Sequence, residues 1–284
     1  MIFEDMGRII NFHKVKDIKW FENVICLLKS KYTIINENQL IGYYYNKKPL
    51  PRKSCMITVD DGDMTSYTII YPILKKHHVP AIFFVSPEKM VQSGKHRNFW
   101  FQEARHCDDS NALMEKIHSG NYPIDDIWGM IDSYQQEHNT EILHDQNMTL
   151  KEVREIDSEG LVAIGAHTMD HPFLARETDD RSKYEIEESI KELENLLGHP
   201  VLSFAYPNGT PTKDFGKREM ETVSRTTCKV AFSTEAKNFS RKDNVYSIPR
   251  FGLSTGSPLF IHIKLMLGSH YATVKKLLNI LKHV

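Results

Sequence analysis

The chain has 284 residues, 40% hydrophobic and 26% charged, a composition that suits an ordinary globular protein with enough apolar material for a sizeable core. Its 36 Lys and Arg against 37 Asp and Glu leave a net charge of −1, so no broad basic field favours nucleic acid or an anionic membrane. No apolar run approaches the ~20 residues needed to cross a bilayer, nothing near the start reads as a secretory signal, and Cys26, Cys55, Cys107 and Cys228 form no CxxC pair, so a cytoplasmic setting is expected.

In chain order, a strand is expected over 8–12 (RIINF), ending at His13. Trp20, Phe21, Val24, Ile25 and Leu28 recur at helical spacing and predict a helix. Strands follow at 55–59 (CMITV), ending on Asp60 and Asp61, and at 81–85 (AIFFV). From 92 to 148 the chain is polar and dotted with histidine, and reads as an irregular insertion. Thr149 with Glu152 makes a capping box that opens a helix through Leu150, Val153 and Ile156. Further strands are expected at 161–165 (LVAIG), 202–206 (LSFAY), 229–233 (KVAFS) and 245–249 (VYSIP). Between the first two, Ile186, Ile190, Leu193 and Leu197 share one helical face, with Gly198 as the stop signal. Val274, Leu277, Leu278 and Leu281 mark a last helix.

This alternation, with no break in composition, predicts a single α/β domain over 1–284 with a parallel sheet. The number of units favours a barrel over an open sheet, and no glycine-rich phosphate loop follows any strand, which counts against a dinucleotide fold. In a (β/α) barrel the site lies at the C-terminal ends of the strands. His13, Asp60, Asp61, His167, Tyr206, Pro207 and Arg250 all fall at such ends, so the topology alone gathers them on one rim.

Two segments carry the chemistry. ITVDDG (57–62) puts two carboxylates at the end of an apolar run, and AHTMDHP (166–172) puts His167 and His171 four residues apart. Two imidazoles and one carboxylate make a three-ligand site for a divalent metal, and a spare carboxylate beside it is the base that an activated water needs. Adjacent strand residues point to opposite faces, so Asp60 and Asp61 can divide these duties, although DDGD suits a solvated turn equally well. The spacing places the two histidines on one side of a helical turn, with Thr168 and Asp170 available to orient a ring. An HxxxH also arises easily by chance in a chain with 14 histidines.

Together, TVDDG (58–62) and HTMDHP (167–172) make the chain resemble the polysaccharide deacetylases, the NodB-homology group of carbohydrate esterase family 4. HKV (13–15), WFENVICLLK (20–29), YPILKKHHVPAIFFV (71–85), the helix at 149–158 and FAYPNG (204–209) extend the resemblance from about residue 8 to residue 252. It implies a distorted TIM-like (β/α) barrel and a hydrolase that removes an N-acetyl group from an amino sugar in a polysaccharide or cell-surface glycan precursor. It further implies Asp60 as catalytic base, Asp61, His167 and His171 as ligands of a divalent metal, usually Zn2+, and Tyr206, Pro207 and Asn208 as the substrate and oxyanion region.

Where many relatives have an arginine and a tyrosine around FAYPNG, this chain has Ala205 and Asn208. Arg250 of SIPRF is the candidate to supply the guanidinium and keep Asp60 ionised, with a rim salt bridge as the alternative. The family's late Leu-x-x-His segment is matched only by LFIH (259–262), so His262 and the strand-end His13 are the candidates for general acid. Two other readings stay open here: the same fold acting on another amide, such as a formamide or cyclic imide, and a non-catalytic sugar-binding relative.

Overall fold

The apolar runs form strands because both of their faces are covered. In the computed structural model, which describes residues 6–90, 97–108, 110–141, 143–253 and 260–261, strands β3 (Ser54–Val59) and β4 (Ala81–Val85) are buried at every residue. Successive side chains enter different cores. Met56, Ile82 and Phe84 join one cluster, while Ile57, Phe83 and Val85 join another under the helices.

Before β3 come β1 (Met6–Phe12), α1 (Ile18–Lys31), β2 (Thr33–Ile34) and α2 (Glu37–Tyr45); α3 (Tyr71–His77) separates β3 from β4. After β4 come α4 (Trp100–His106), α5 (Ser110–Ser119), α6 (Ile124–His138), α7 (Leu150–Ser158) and β5 (Val162–Ala166). The remainder is α8 (Asp179–Leu197), β6 (Ser203–Ala205), α9 (Lys217–Ser224), β7 (Val230–Phe232), β8 (Phe239–Ser240) and β9 (Phe251–Gly252).

The sheet runs β7-β6-β5-β4-β3-β1 with every neighbouring pair parallel. The chain beyond β7 then closes the curl: Ile248 bridges Phe232 in parallel, and β9 pairs in parallel with β1. The result is a distorted (β/α) barrel whose seam is the short segment from Ile248 to Gly252. β8 adds an antiparallel edge to β1, and β2 pairs with β3.

Local signals survive intact. Asp17 caps α1 through Trp20 N, Thr149 and Glu152 form the capping box of α7, and Gly198 ends α8 in the left-handed conformation. Three expectations change. The strand expected at 245–249 is not formed, because Asn244 draws the Tyr246 and Ser247 amides into a turn and removes them from any ladder; only Ile248 is bridged. The stretch 92–148, expected to be irregular, holds α4, α5 and α6 around their own cluster of Phe99, Trp100, Ile117, Ile127 and Ile131. Helix α2 was not anticipated, and its aromatics pack away from the barrel rim: Tyr43 meets Phe239, and the Tyr44 hydroxyl donates to Ser240 O. The helix expected around Val274–Leu281 lies outside the described residues. Among the described residues no helix is long and apolar enough to cross a membrane.

Gly165 in β5 has almost no room: a Cβ there would lie 2.5 Å from Phe84 Cε1 and 2.7 Å from Ser203 Oγ. Gly165→Ala is therefore expected to lower stability by about 1–3 kcal/mol in urea unfolding. An unchanged midpoint would contradict this packing.

Candidate active site

The rim is built by two loops, each of which holds residues in the left-handed region. At the end of β3, the Asp60 amide still donates to Phe12 O. Asp61 (φ 75°) and Gly62 (φ 69°) then turn the chain sharply. A Cβ on Gly62 would combine that φ with a 3.2 Å approach to Val85 Cγ1. The two carboxylates thus part at a turn, not by strand alternation as the sequence suggests.

Asp60 is buried in the top of the barrel, where Arg250 meets it in a bidentate pair, Nη1 to Oδ1 at 2.8 Å and Nη2 to Oδ2 at 2.9 Å. Arg250 is wholly buried, donates from Nε to Ser233 O, and stacks near the Phe84 and Phe232 rings. It sits buried at the barrel mouth, where its salt bridge to Asp60 is shielded from solvent. Asn11 Nδ2 adds a third hydrogen bond to Asp60 Oδ2 at 2.9 Å, and Thr58 Oγ1 accepts from Arg250. Burial works to raise the Asp60 pKa, but Arg250, with lesser help from His167 and His13, holds it below the ordinary carboxylate value.

The second loop follows β5. The spacing of His167 and His171 suggests a helical turn; the structure has an irregular loop with Thr168 (φ 64°) and His171 (φ 55°) both left-handed. Thr168 Oγ1 accepts from His171 N and so supports that shape, while Ser86 Oγ donates to His167 O. The Met169 and Asp170 amides both donate to the buried Glu185 of α8, at 3.0 and 2.9 Å.

The two loops meet at Asp61. His167 Nε2 and His171 Nε2 each lie 3.5 Å from Asp61 Oδ1, and one ligand atom from each of the three residues falls within 4.8 Å of the others. His167 Nδ1 lies 2.7 Å from Ala205 O, which fixes a proton on that nitrogen and leaves Nε2 for the centre. Asp61 Oδ1 is buried without a hydrogen-bond partner and faces the same point as the two Nε2 atoms. Burial pushes the His171 ring down to about 3, which keeps it a neutral ligand. Burial also lowers His167, but Asp61 and Asp60 more than offset it and its pKa is raised, while the histidines hold Asp61 far below the ordinary range against its own burial. The centre demands positive charge, and this N/N/O donor set fits a divalent cation such as Zn2+.

A cleft of about 570 Å3 opens above, lined among others by His13, Asp60, Asp61, His167, His171 and Asn208. His13 Nε2 stands 3.8 Å from Asp60 Oδ2 with half its side chain exposed. Tyr206 reaches the cleft wall, yet its hydroxyl donates to Tyr246 O and its amide to Phe232 O, and Pro207 has no amide hydrogen and does not line the cleft. Asn208 (φ 59°) is the member of that trio with a free donor, its Nδ2 being buried and without a partner. His262 lies outside the described residues. Asn11 and Thr58 went unremarked in the sequence; the signal for both was a polar residue inside an otherwise apolar strand run.

Residues 47–223 match the family model described as polysaccharide deacetylase. The chain is 23% identical to a Staphylococcus aureus (strain MRSA252) poly-beta-1,6-N-acetyl-D-glucosamine N-deacetylase, with 88% of this chain and 80% of that protein covered. In fold it resembles IcaB from Ammonifex degensii (TM-score 0.64, 18% identity, covering 88% of this chain and 92% of that one). It also resembles the Streptococcus pyogenes deacetylase PplD solved with acetate (TM-score 0.62, 17% identity, covering 87% and 92%).

Because the folded pKa of Asp60 lies below the unfolded carboxylate value of about 3.9, its stabilising effect is complete above that value and is lost as pH falls through the folded pKa. The stability gap between chelator-treated wild type and Asp60→Asn is thus expected to be flat above about pH 5 and to narrow below about pH 4. Urea titrations at several pH values check this, and a gap that widens on acidification would count against the pair. Arg250→Met, which leaves a buried carboxylate alone, is expected to cost about 3–5 kcal/mol in the same assay near neutral pH.

Proposed function

Since the chain belongs to the polysaccharide deacetylase family, we propose that it is a divalent-metal-dependent N-deacetylase that hydrolyses the acetamide of an N-acetylated amino sugar. The observation that carries the reading is the pairing of a three-donor centre with a separate buried carboxylate in one cleft. Asp61, His167 and His171 would hold the cation, most fittingly Zn2+. What the cation supplies is Lewis acidity, which makes water a nucleophile near neutral pH and polarises an amide carbonyl.

The protein's own groups account for the rest. Asp60 is the general base. A carboxylate offers about four lone-pair sites, and Arg250 and Asn11 occupy three, leaving one that can take the proton of the attacking water. The low pKa keeps Asp60 in the accepting form at every working pH, at some loss of driving force. His13, on the Oδ2 side of Asp60 and open to the cleft, is the group placed to give a proton to the leaving nitrogen, while the water proton stays on Asp60 Oδ1 and passes to solvent after the products leave. Asn208, through its backbone N–H or its unpartnered side-chain amide, is the residue offered as donor for the developing oxyanion. The C–N bond breaks, and the products are acetate and a free amino sugar.

The relatives support a choice of substrate to test. The named activity of the Staphylococcus aureus protein makes β-1,6-linked N-acetylglucosamine oligomers the first compounds to test. The purified protein is expected to bind about one divalent ion and to release acetate from them. Asp60→Asn should lower kcat by at least ~100-fold with metal content retained, whereas His167→Ala should lose the metal itself. Undiminished acetate release by the fully chelated wild type would refute the mechanism.

A further inference from the structure

We propose that the helical module of α4 and α6 sets the position of His171 in the metal centre through two indole N–H groups, from Trp100 and Trp128. The two histidine ligands are held in different ways. His167 has its ring fixed at the far nitrogen by Ala205 O. His171 has no such bond to another residue: its Nδ1 is buried and the only polar group against the ring is its own backbone. A ligating histidine is normally oriented by a hydrogen bond at the other ring nitrogen. The aim of His171 must therefore come from its backbone and from the rings around it.

Those constraints come largely from the stretch 97–138. Trp100 Nε1 donates to His171 O at 2.9 Å, and Trp128 Nε1 donates to Asp170 Oδ2 at 2.7 Å. Phe99 and Phe101 meet the His171 ring edge-on, with centroids 5.6 and 4.9 Å away. The same Asp170 carboxylate pairs with the buried Lys89 from the segment after β4, and Lys89 also lies over the Trp128 ring. Arg97 stacks on that ring too, 3.7 Å from its centroid, and pairs with Asp132 of α6. The loop being held is strained: a non-glycine residue in the left-handed region is unfavourable and persists only where its surroundings over-determine it. Here His171 is itself such a residue.

Trp128 does not line the cleft and Trp100 does, but neither indole offers a ligand to the centre, so both are positioning residues and Trp128 carries the decisive test. The inference rests on the metal-centre reading above, and its test separates the two. In substrate-free protein, Zn2+ affinity is measured by chelator competition, and the visible spectrum of the Co2+-loaded form reports ligand geometry. Trp128→Phe keeps a ring for Lys89 and Arg97 and removes only the donor. It is expected to weaken metal binding by about 10-fold or more and to alter the Co2+ spectrum, with the melting temperature of the metal-free protein little changed. Trp100→Phe, which leaves a small cavity in a buried cluster, should weaken metal binding similarly but also lower that melting temperature. If wild type binds no divalent ion, the metal reading falls and this inference with it. If wild type binds and the folded Trp128→Phe matches it within twofold with an unchanged spectrum, the metal reading stands and the positioning role is overturned.

Discussion

The bidentate pair between Arg250 and Asp60 is the interaction on which the rest of the site depends. It spans 190 residues of sequence and joins the end of β3 to the seam that closes the barrel. Both partners are almost completely buried. Two charges removed from water are tolerable only when each satisfies the other with good geometry. Here the guanidinium fork meets both carboxylate oxygens, and Ser233 O, Thr58 and Asn11 take up remaining capacity. Among the described residues the seam is held by one bridge, a two-residue strand and a few flanking backbone hydrogen bonds, so this pair is also part of what holds the last segment in place.

One arrangement thereby serves fold and chemistry together. The arginine that fills the barrel mouth keeps Asp60 ionised and aims it, and the same rim presents Asp61 a residue later around a left-handed turn. Asp60 is committed to Arg250 and Asn11, while Asp61 Oδ1 has no hydrogen-bond partner. Environment alone thus sets two adjacent, chemically identical side chains apart, one held ionised by a guanidinium and the other an anion directed at two imidazoles.

The histidine loop shows the opposite economy. Its backbone is unfavourable by itself and is stabilised from outside by Glu185 of α8, Ser86, and the tryptophans of α4 and α6. Helices far from β5 in sequence therefore bear directly on where His171 points. The stretch between β4 and α7 is best regarded as part of the centre's support as well as a wall of the cleft.

Much of this was legible in the sequence because it is local. Period-two and helical apolar patterns, the Thr149–Glu152 box and the Gly198 stop each depend on residues a few positions apart, and they placed most strands and several helices correctly. The DDG and HxxxH segments pointed to the three residues that come together as a candidate metal site for the same reason, since each half lies within a few consecutive residues. Arg250 was reached by another route, from its place near a strand end and from a guanidinium missing at its usual position. What the tertiary structure alone decided is everything that depends on contacts across the barrel. The sequence suggested a helical turn at His167–His171 and a strand at 245–249, and side-chain capture of backbone amides overrode both. The Asn11 contact, the commitment of Tyr206 to Tyr246 and the grip of Trp100 and Trp128 on the histidine loop leave no trace in spacing. A hydrogen bond between distant segments imposes no periodicity on either one, so only the folded chain reveals it.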